Sequence, residues 1–180
     1  MNWANTKKKR DIFRFLLKSF VFLTILFILD YSIGNLLKYL YFRQGSGSLY
    51  AITYSIDSTK ADLLVIGSST AHHSYYPEAF QNRLGMSYYN TGNDGTSIFY
   101  HYAVLKSILK RYSPKMVILE FDIGEFNSDQ KSYDRLSALL PYYYNHPELR
   151  PIIKLKSKFE RIKLLSKIYP FNSMVYSVFI

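Results

Sequence analysis

The 180-residue chain contains no cysteine, which removes disulfide staples, thiolate zinc sites and a cysteine nucleophile together. Glycine and proline are sparse, 8 and 6 residues, so collagenous and low-complexity architectures are excluded. Acidic groups are scarce as well, 13 against 23 Lys and Arg. Apolar residues are plentiful: 48% of the chain is hydrophobic, enough for one domain with a real core. The 18 Tyr and 13 Phe suit core packing and membrane interfaces, and do not by themselves indicate nucleic acid.

The net charge of +10 is unevenly placed. Residues 1–18 carry +5 and residues 150–167 carry +6, while the remainder sums to −1. A nucleic-acid binder spreads its cations over the face that meets phosphate, so no nucleic-acid partner is expected. Cations at two ends point to topology and solvation instead. The basic stretch 150–167 interleaves Ile152, Ile153, Leu155, Phe159, Ile162, Leu164 and Leu165 with its charges. It is expected to pack on the domain with Lys and Arg outward, with an amphipathic lipid contact as the alternative.

Residues 19–29 (SFVFLTILFIL) are uncharged, and their neighbours extend the apolar run to roughly 20 residues, the length of a membrane span. Lys7, Lys8, Lys9 and Arg10 precede it, and the positive-inside rule then places the N-terminus in the cytoplasm. A cleaved signal peptide would need small residues before its cut, for which Ser32-Ile33-Gly34 is a marginal site, and a buried core helix is the third reading. The expected organisation is a basic cytoplasmic segment over 1–12, a transmembrane helix over 13–33, a linker over 34–60 and a domain over 61–180.

Within that domain the pattern is rhythmic. Residues 61–67 (ADLLVIG), 86–89 and 116–121 (MVILEF) read as short buried strands. Residues 77–84 begin with proline and read as a helix with Ala79, Phe80 and Leu84 on one side. A second helix over 97–112 carries Ile98, Tyr102, Leu105 and Leu109 at helical spacing. Strand and helix in alternation predict a parallel sheet covered by helices, a flavodoxin-like three-layer α/β/α fold. Residues 50–60 read as an extended approach, and residues 174–180 as a possible last strand. In such sheets the loops after the strands converge on the ligand crevice. Here those loops span 67–73, 90–97 and 122–127.

The first loop reads Gly67-Ser68-Ser69-Thr70-Ala71-His72-His73. A serine on such a turn can serve as a nucleophile beside backbone N–H groups that hold an oxyanion. Phosphate binding by Ser68, Ser69 and Thr70, in the manner of a flavodoxin-like protein, and simple helix capping are the competing readings. The stretch Val65-Ile66-Gly67-Ser68-Ser69 resembles the first block of SGNH/GDSL-type hydrolases, which have Gly-Asp-Ser at the end of their first strand. Tyr89-Asn90-Thr91-Gly92-Asn93-Asp94-Gly95-Thr96 resembles the second block, and the proline-led strand from Pro114 to Phe121 resembles the approach to the third. The resemblance covers residues 61–125, about a third of the chain. It implies Ser69 as nucleophile, with Ser68 on the family's Asp, and Gly95 or, as second choice, Gly92 in the oxyanion hole. Asp122-Ile123-Gly124-Glu125 departs from the third block's Gly-x-Asn-Asp, and Asn127 is the nearest asparagine. No Asp has a His three positions later, so the family's base is missing from these residues, and the chain reads as an N-terminal portion of such a protein. The combination of an anchor with Gly-Ser-Ser is most similar to membrane-anchored bacterial envelope members that handle acyl groups.

What the resemblance implies is an ester hydrolase or O-acyltransferase at the bacterial cytoplasmic (inner) membrane, its domain extracytoplasmic, acting on a surface glycan or an acylated lipid-linked substrate. The alternative is a non-catalytic envelope protein that keeps the fold and binds a glycan or protein partner. Only four histidines exist: His72, His73, His101 and His146. His101 reads as a surface or core-edge residue and His146 as a turn residue. His72, His73, Asp94 and Asp122 match no metal-ligand spacing, so no metal and no cofactor are expected.

Overall fold

The computed structural model describes residues 3–126 and 130–179. It is mostly helical, 68%, with one small three-stranded parallel sheet and a long apolar N-terminal helix. That helix, α1 (Trp3–Phe42), is long and apolar enough to cross a membrane by length and composition, and none of its most apolar window is buried against the rest of the chain.

Residues 34–42, expected as linker, continue α1 without a break. Their reason for staying helical is tertiary. Gly34, Leu37 and Tyr41 are buried at spacings of three and four, so they form one stripe, and Asp30 begins it one turn earlier. The Asp30 carboxylate accepts hydrogen bonds from the Lys167 N–H at 2.7 Å, the Ile168 N–H at 3.4 Å and the Ser166 hydroxyl. Gly34 lies so close to Lys167 that an added Cβ would stand 2.3–2.6 Å from its atoms. The far end of the chain is therefore docked on the end of α1.

The extended approach expected over 50–60 is also a helix, α2 (Gly47–Asp57). Leu49, Ile52, Ser55 and Ile56 form its buried face. Its last carbonyls are capped from outside: the Arg111 guanidinium donates to the carbonyls of Ser55, Ile56 and Thr59 at 3.1, 2.7 and 2.9 Å. The sequence pattern could not show a cap supplied from 50 residues away.

The sheet consists of β1 (Leu63–Ile66), β2 (Tyr88–Asn90) and β3 (Met116–Leu119), in the order β2-β1-β3. Leu63 pairs with Tyr88 on one side and Met116 on the other, so all three strands run parallel and end on one edge. The first crossover holds α3 (Ser69–Ser74) and α4 (Pro77–Leu84), and the second is α5 (Ile98–Arg111). β1 is buried throughout, with Leu64 and Ile66 in the main core and Leu63 and Val65 in a small cluster with Ala71. The expected burial of the third strand is not met: Met116, Val117 and Leu119 are exposed on an edge strand.

Two helical faces also differ from expectation. On α5 the buried side is Tyr100, His101, Ala103, Val104, Ser107 and Ile108, whereas Tyr102 and Leu109 face outward. On α4 nothing is fully buried, and Phe80 packs between Tyr75 and Tyr88. Beyond α6 (Gln130–Asp134) the chain runs as short 3₁₀ and α turns, including α7 (Arg150–Ile153), α8 (Glu160–Lys163) and α9 (Val175–Val178). Residues 174–179 thus form no strand. Phe171, Met174 and Val178 join the core instead.

Candidate functional site

The three strand-end loops are stitched to one another by the backbone of β1. Val65 accepts from the Thr91 N–H at 2.8 Å and the Thr91 hydroxyl at 3.0 Å, Gly67 accepts from the Asn93 N–H at 3.2 Å, and Ile66 accepts from the Glu120 N–H at 2.9 Å. Asn90 ties the second loop to α3 by donating to the Ala71 carbonyl at 2.7 Å. Its Oδ1 accepts the Gly92 N–H at 2.8 Å. Gly92 itself approaches α3 so closely that a Cβ would meet the His72 nitrogen at 2.6 Å. Gly95, by contrast, is exposed in a left-handed conformation with open space where a Cβ would sit.

Ser69 is exposed at the first position of α3, and Ser68 precedes it as the N-terminal cap residue. His72 and His73 follow one turn later, and both rings converge on Asp94 from the second loop. His72 Nδ1 lies 3.0 Å and His73 Nε2 3.2 Å from its carboxylate. All three side chains are exposed. The hydrogen bond with His72, and then that with His73, hold the Asp94 carboxyl below the usual carboxylate range. These three groups place one ligand atom each within 4.8 Å of one another, so they are also the residues able to hold a divalent cation. A cavity of about 260 Å³ opens beside them, lined in part by Ser55, His72, Asn90, Gly92, Asn93 and Tyr100.

Behind the exposed lip lies a second set that the sequence reading missed. His101, expected at the surface or the core edge, is 1% exposed, and Glu125 is buried against it with His101 Nδ1 and Glu125 Oε2 3.2 Å apart. The Ser68 side chain hydrogen-bonds to Glu125. His101 Nε2 lies 3.0 Å from the Thr96 hydroxyl, which donates to the Asn93 carbonyl at 2.6 Å. That hydroxyl's proton is thus spent on Asn93, so Nε2 must carry the ring proton and Nδ1 is left an acceptor. His101 Nδ1 and Glu125 Oε2, although close, are both buried without a hydrogen-bond partner among the described residues. Burial acts in the same direction on both, pushing the Glu125 carboxyl up and the His101 ring down to about 4. Burial thus favours the neutral form of each group. Only the phase of the apolar residues on α5, with Tyr100, Ala103 and Val104 flanking His101, hinted at this burial.

The remaining candidates fall elsewhere. Asp122 is exposed and accepts the Gly124 N–H at 2.7 Å, and Asn127 lies outside the described residues. His146 is more than a turn residue: it is partly buried, 2.9 Å from both Asp57 and Glu148. No family model, curated protein or solved structure matches this chain.

Proposed function

We propose that the chain is a membrane-anchored, SGNH-like serine ester hydrolase or O-acyltransferase of the bacterial envelope. The observation that carries this reading is the His72–Asp94 pair placed one helical turn after Ser69, at the end of the central strand. A carboxylate on Nδ1 is the arrangement that leaves Nε2 as the base for a serine hydroxyl. Residues three apart on a helix share a face, so Ser69 and His72 belong to one side of α3. The order β2-β1-β3 supports the reading as well, since it is the start of a doubly wound sheet whose crevice opens beside the first strand.

In this mechanism Ser69 Oγ attacks the acyl carbonyl as His72 Nε2 takes its proton, and Asp94 stabilises the resulting imidazolium. The oxyanion is received by the Ser69 N–H at the start of α3 and by Gly95. Gly92 is less suited, because its N–H is already given to Asn90. Collapse expels the alcohol, which takes the proton back from His72. Water or a glycan hydroxyl then resolves the acyl-enzyme. This pair stands in for the Asp-x-x-His that the sequence lacks. The anchor is read as a single span of the cytoplasmic membrane, N-terminus inside and domain outside, because the basic cluster precedes the apolar run.

The test is labelling of the full-length protein by a fluorophosphonate, mapped by mass spectrometry. Ser69 should carry the label, and Ser69→Ala should abolish it. His72→Gln and Asp94→Asn should slow labelling by about 100-fold or more, while Ser68→Ala and His73→Gln retain it. A chelator should have no effect. Label that survives Ser69→Ala, or is lost with His73→Gln alone, overturns the assignment. Absence of labelling favours the non-catalytic reading, in which the same crevice binds a glycan or protein partner.

A further inference from the structure

Residues 155–167 present an unusual surface. Phe159, Ile162 and Leu165 are exposed, the last two by 66% and 76%, although Ile152, Ile153 and Leu164 around them are buried. The Ile162 N–H donates to Phe159 and the Leu165 N–H to Ile162, at 2.9 and 3.0 Å. The segment between them is one α-helical turn, α8, where residues three apart share a face, so Phe159 and Ile162, and Ile162 and Leu165, are neighbours along one exposed edge. Lys158 and Arg161, also three apart, lie on a neighbouring edge, and Lys154 and Lys163 are exposed nearby. The buried Glu160 is occupied internally, by the Tyr169 hydroxyl and Lys163.

The position of this edge relative to α1 is fixed. Asp30, which immediately follows the uncharged run 19–29, holds residues 166–168. Leu165 therefore sits at the level where the apolar stretch of α1 ends. One to two turns farther along α1, a cavity of about 230 Å³ is lined by Gly34, Asn35, Lys38, Tyr144, Lys167 and Phe171. The Lys167 ammonium is held there, 4.5 Å from the centre of the Tyr144 ring. Apolar residues at the end of the apolar stretch and cations one turn beyond it match the depth profile of a lipid interface.

We propose that this surface seats on the anionic phospholipid leaflet that α1 enters. Phe159, Ile162 and Leu165 enter the upper acyl region, and Lys38 and Lys167 meet a headgroup phosphate. The inference rests on the reading of α1 as an anchor. It gives the domain a fixed tilt on the membrane, with the Ser69 crevice held in one orientation to the lipid.

Because the chain has no cysteine, single spin labels report depth without background. Ile25→Cys, Ile162→Cys, Leu165→Cys and Ile123→Cys are placed in the full chain, in nanodiscs of phosphatidylcholine with phosphatidylglycerol. Ile123 is 85% exposed beside the sheet and serves as the aqueous reference. Labels at 162 and 165 should lose most of the nickel-chelate relaxation seen at 123 and gain oxygen relaxation, as at 25. Replacing phosphatidylglycerol with phosphatidylcholine should shift them back toward water. Water-like labels at 162 and 165 with a lipid-like label at 25 overturn the lipid contact and leave the anchor standing. A water-like label at 25 overturns the anchor, and the contact with it. Labels at 162 and 165 shielded from both relaxants and coupled to one another between molecules would mean a second copy covers this edge, which also overturns the proposal.

Discussion

The protein holds two histidine–carboxylate pairs of nearly equal length in opposite surroundings. His72 and Asp94 are 3.0 Å apart and open to water, whereas His101 and Glu125 are 3.2 Å apart and buried. In the open pair the hydrogen bonds stabilise the carboxylate. In the closed pair burial raises the Glu125 carboxyl and lowers the His101 ring, which favours the neutral form of each. Distance alone does not decide what such a pair does; the dielectric around it does. The open pair is in contact with water, and the closed pair lies behind the loops that present it.

The comparison breaks most visibly by truncation. Glu125→Ala removes the partner of the Ser68 hydroxyl and opens a cavity beside the His101 ring. Thermal or urea unfolding of the full chain should show a loss of about 2–4 kcal/mol. His101→Ala should cost a similar amount.

Stability against pH sharpens it further. Burial lowers His101, so its contribution is complete above its ordinary value of 6.5 and is lost as pH falls toward about 4. Glu125 is raised, so its contribution is complete below its ordinary 4.5 and is lost as pH rises through its folded value. Between these two ordinary values the two slopes oppose each other. Below 4.5 the Glu125 contribution is complete, so stability should fall with further acid toward about 4 through His101 alone. Melting temperatures across that range check it.

Glu125→Gln is a gentler change. The amide matches the acid in shape and is uncharged, the form that burial favours, so stability near pH 6 should change by less than about 1 kcal/mol. The alkaline fall that belongs to Glu125 should disappear, leaving the rise of stability from about 4 to 6.5 that belongs to His101. A large loss with an unchanged pH profile would mean that Glu125 is ionised in the fold.

The smallest effect belongs to the open pair. His72→Gln should leave stability within about 0.5 kcal/mol of the parent, since its ring is exposed. A cost as large as that of His101→Ala would make His72 structural and remove the basis of its chemical role.

Much of the strand and helix succession was legible in the sequence, for a local reason. Pro77 sets the start of α4, and apolar tetrads without helical spacing mark β1 and β3 within two residues of their ends. Residues 47–57 were not legible as a helix, because Ser48 and the serines and tyrosines around Ile52 read as loop until Arg111 and α5 supply the cap and the partner face. The face of α5 was misjudged because Ile98, Tyr102, Leu105 and Leu109 fit a helical stripe as well as the true one does.

The sequence by itself determined the apolar run of α1, its basic flank, the parallel strand rhythm and the gathering of Ser69, His72 and His73 on one loop. These depend on neighbours along the chain, whose spacing is fixed by covalent geometry. Only the tertiary structure decided that Asp94 reaches those histidines, that His101 and Glu125 are buried together, and that Asp30 holds residues 166–168. Each of those contacts joins residues 21 to 138 positions apart. Their partners are chosen by which apolar faces pack, and no local pattern records that choice.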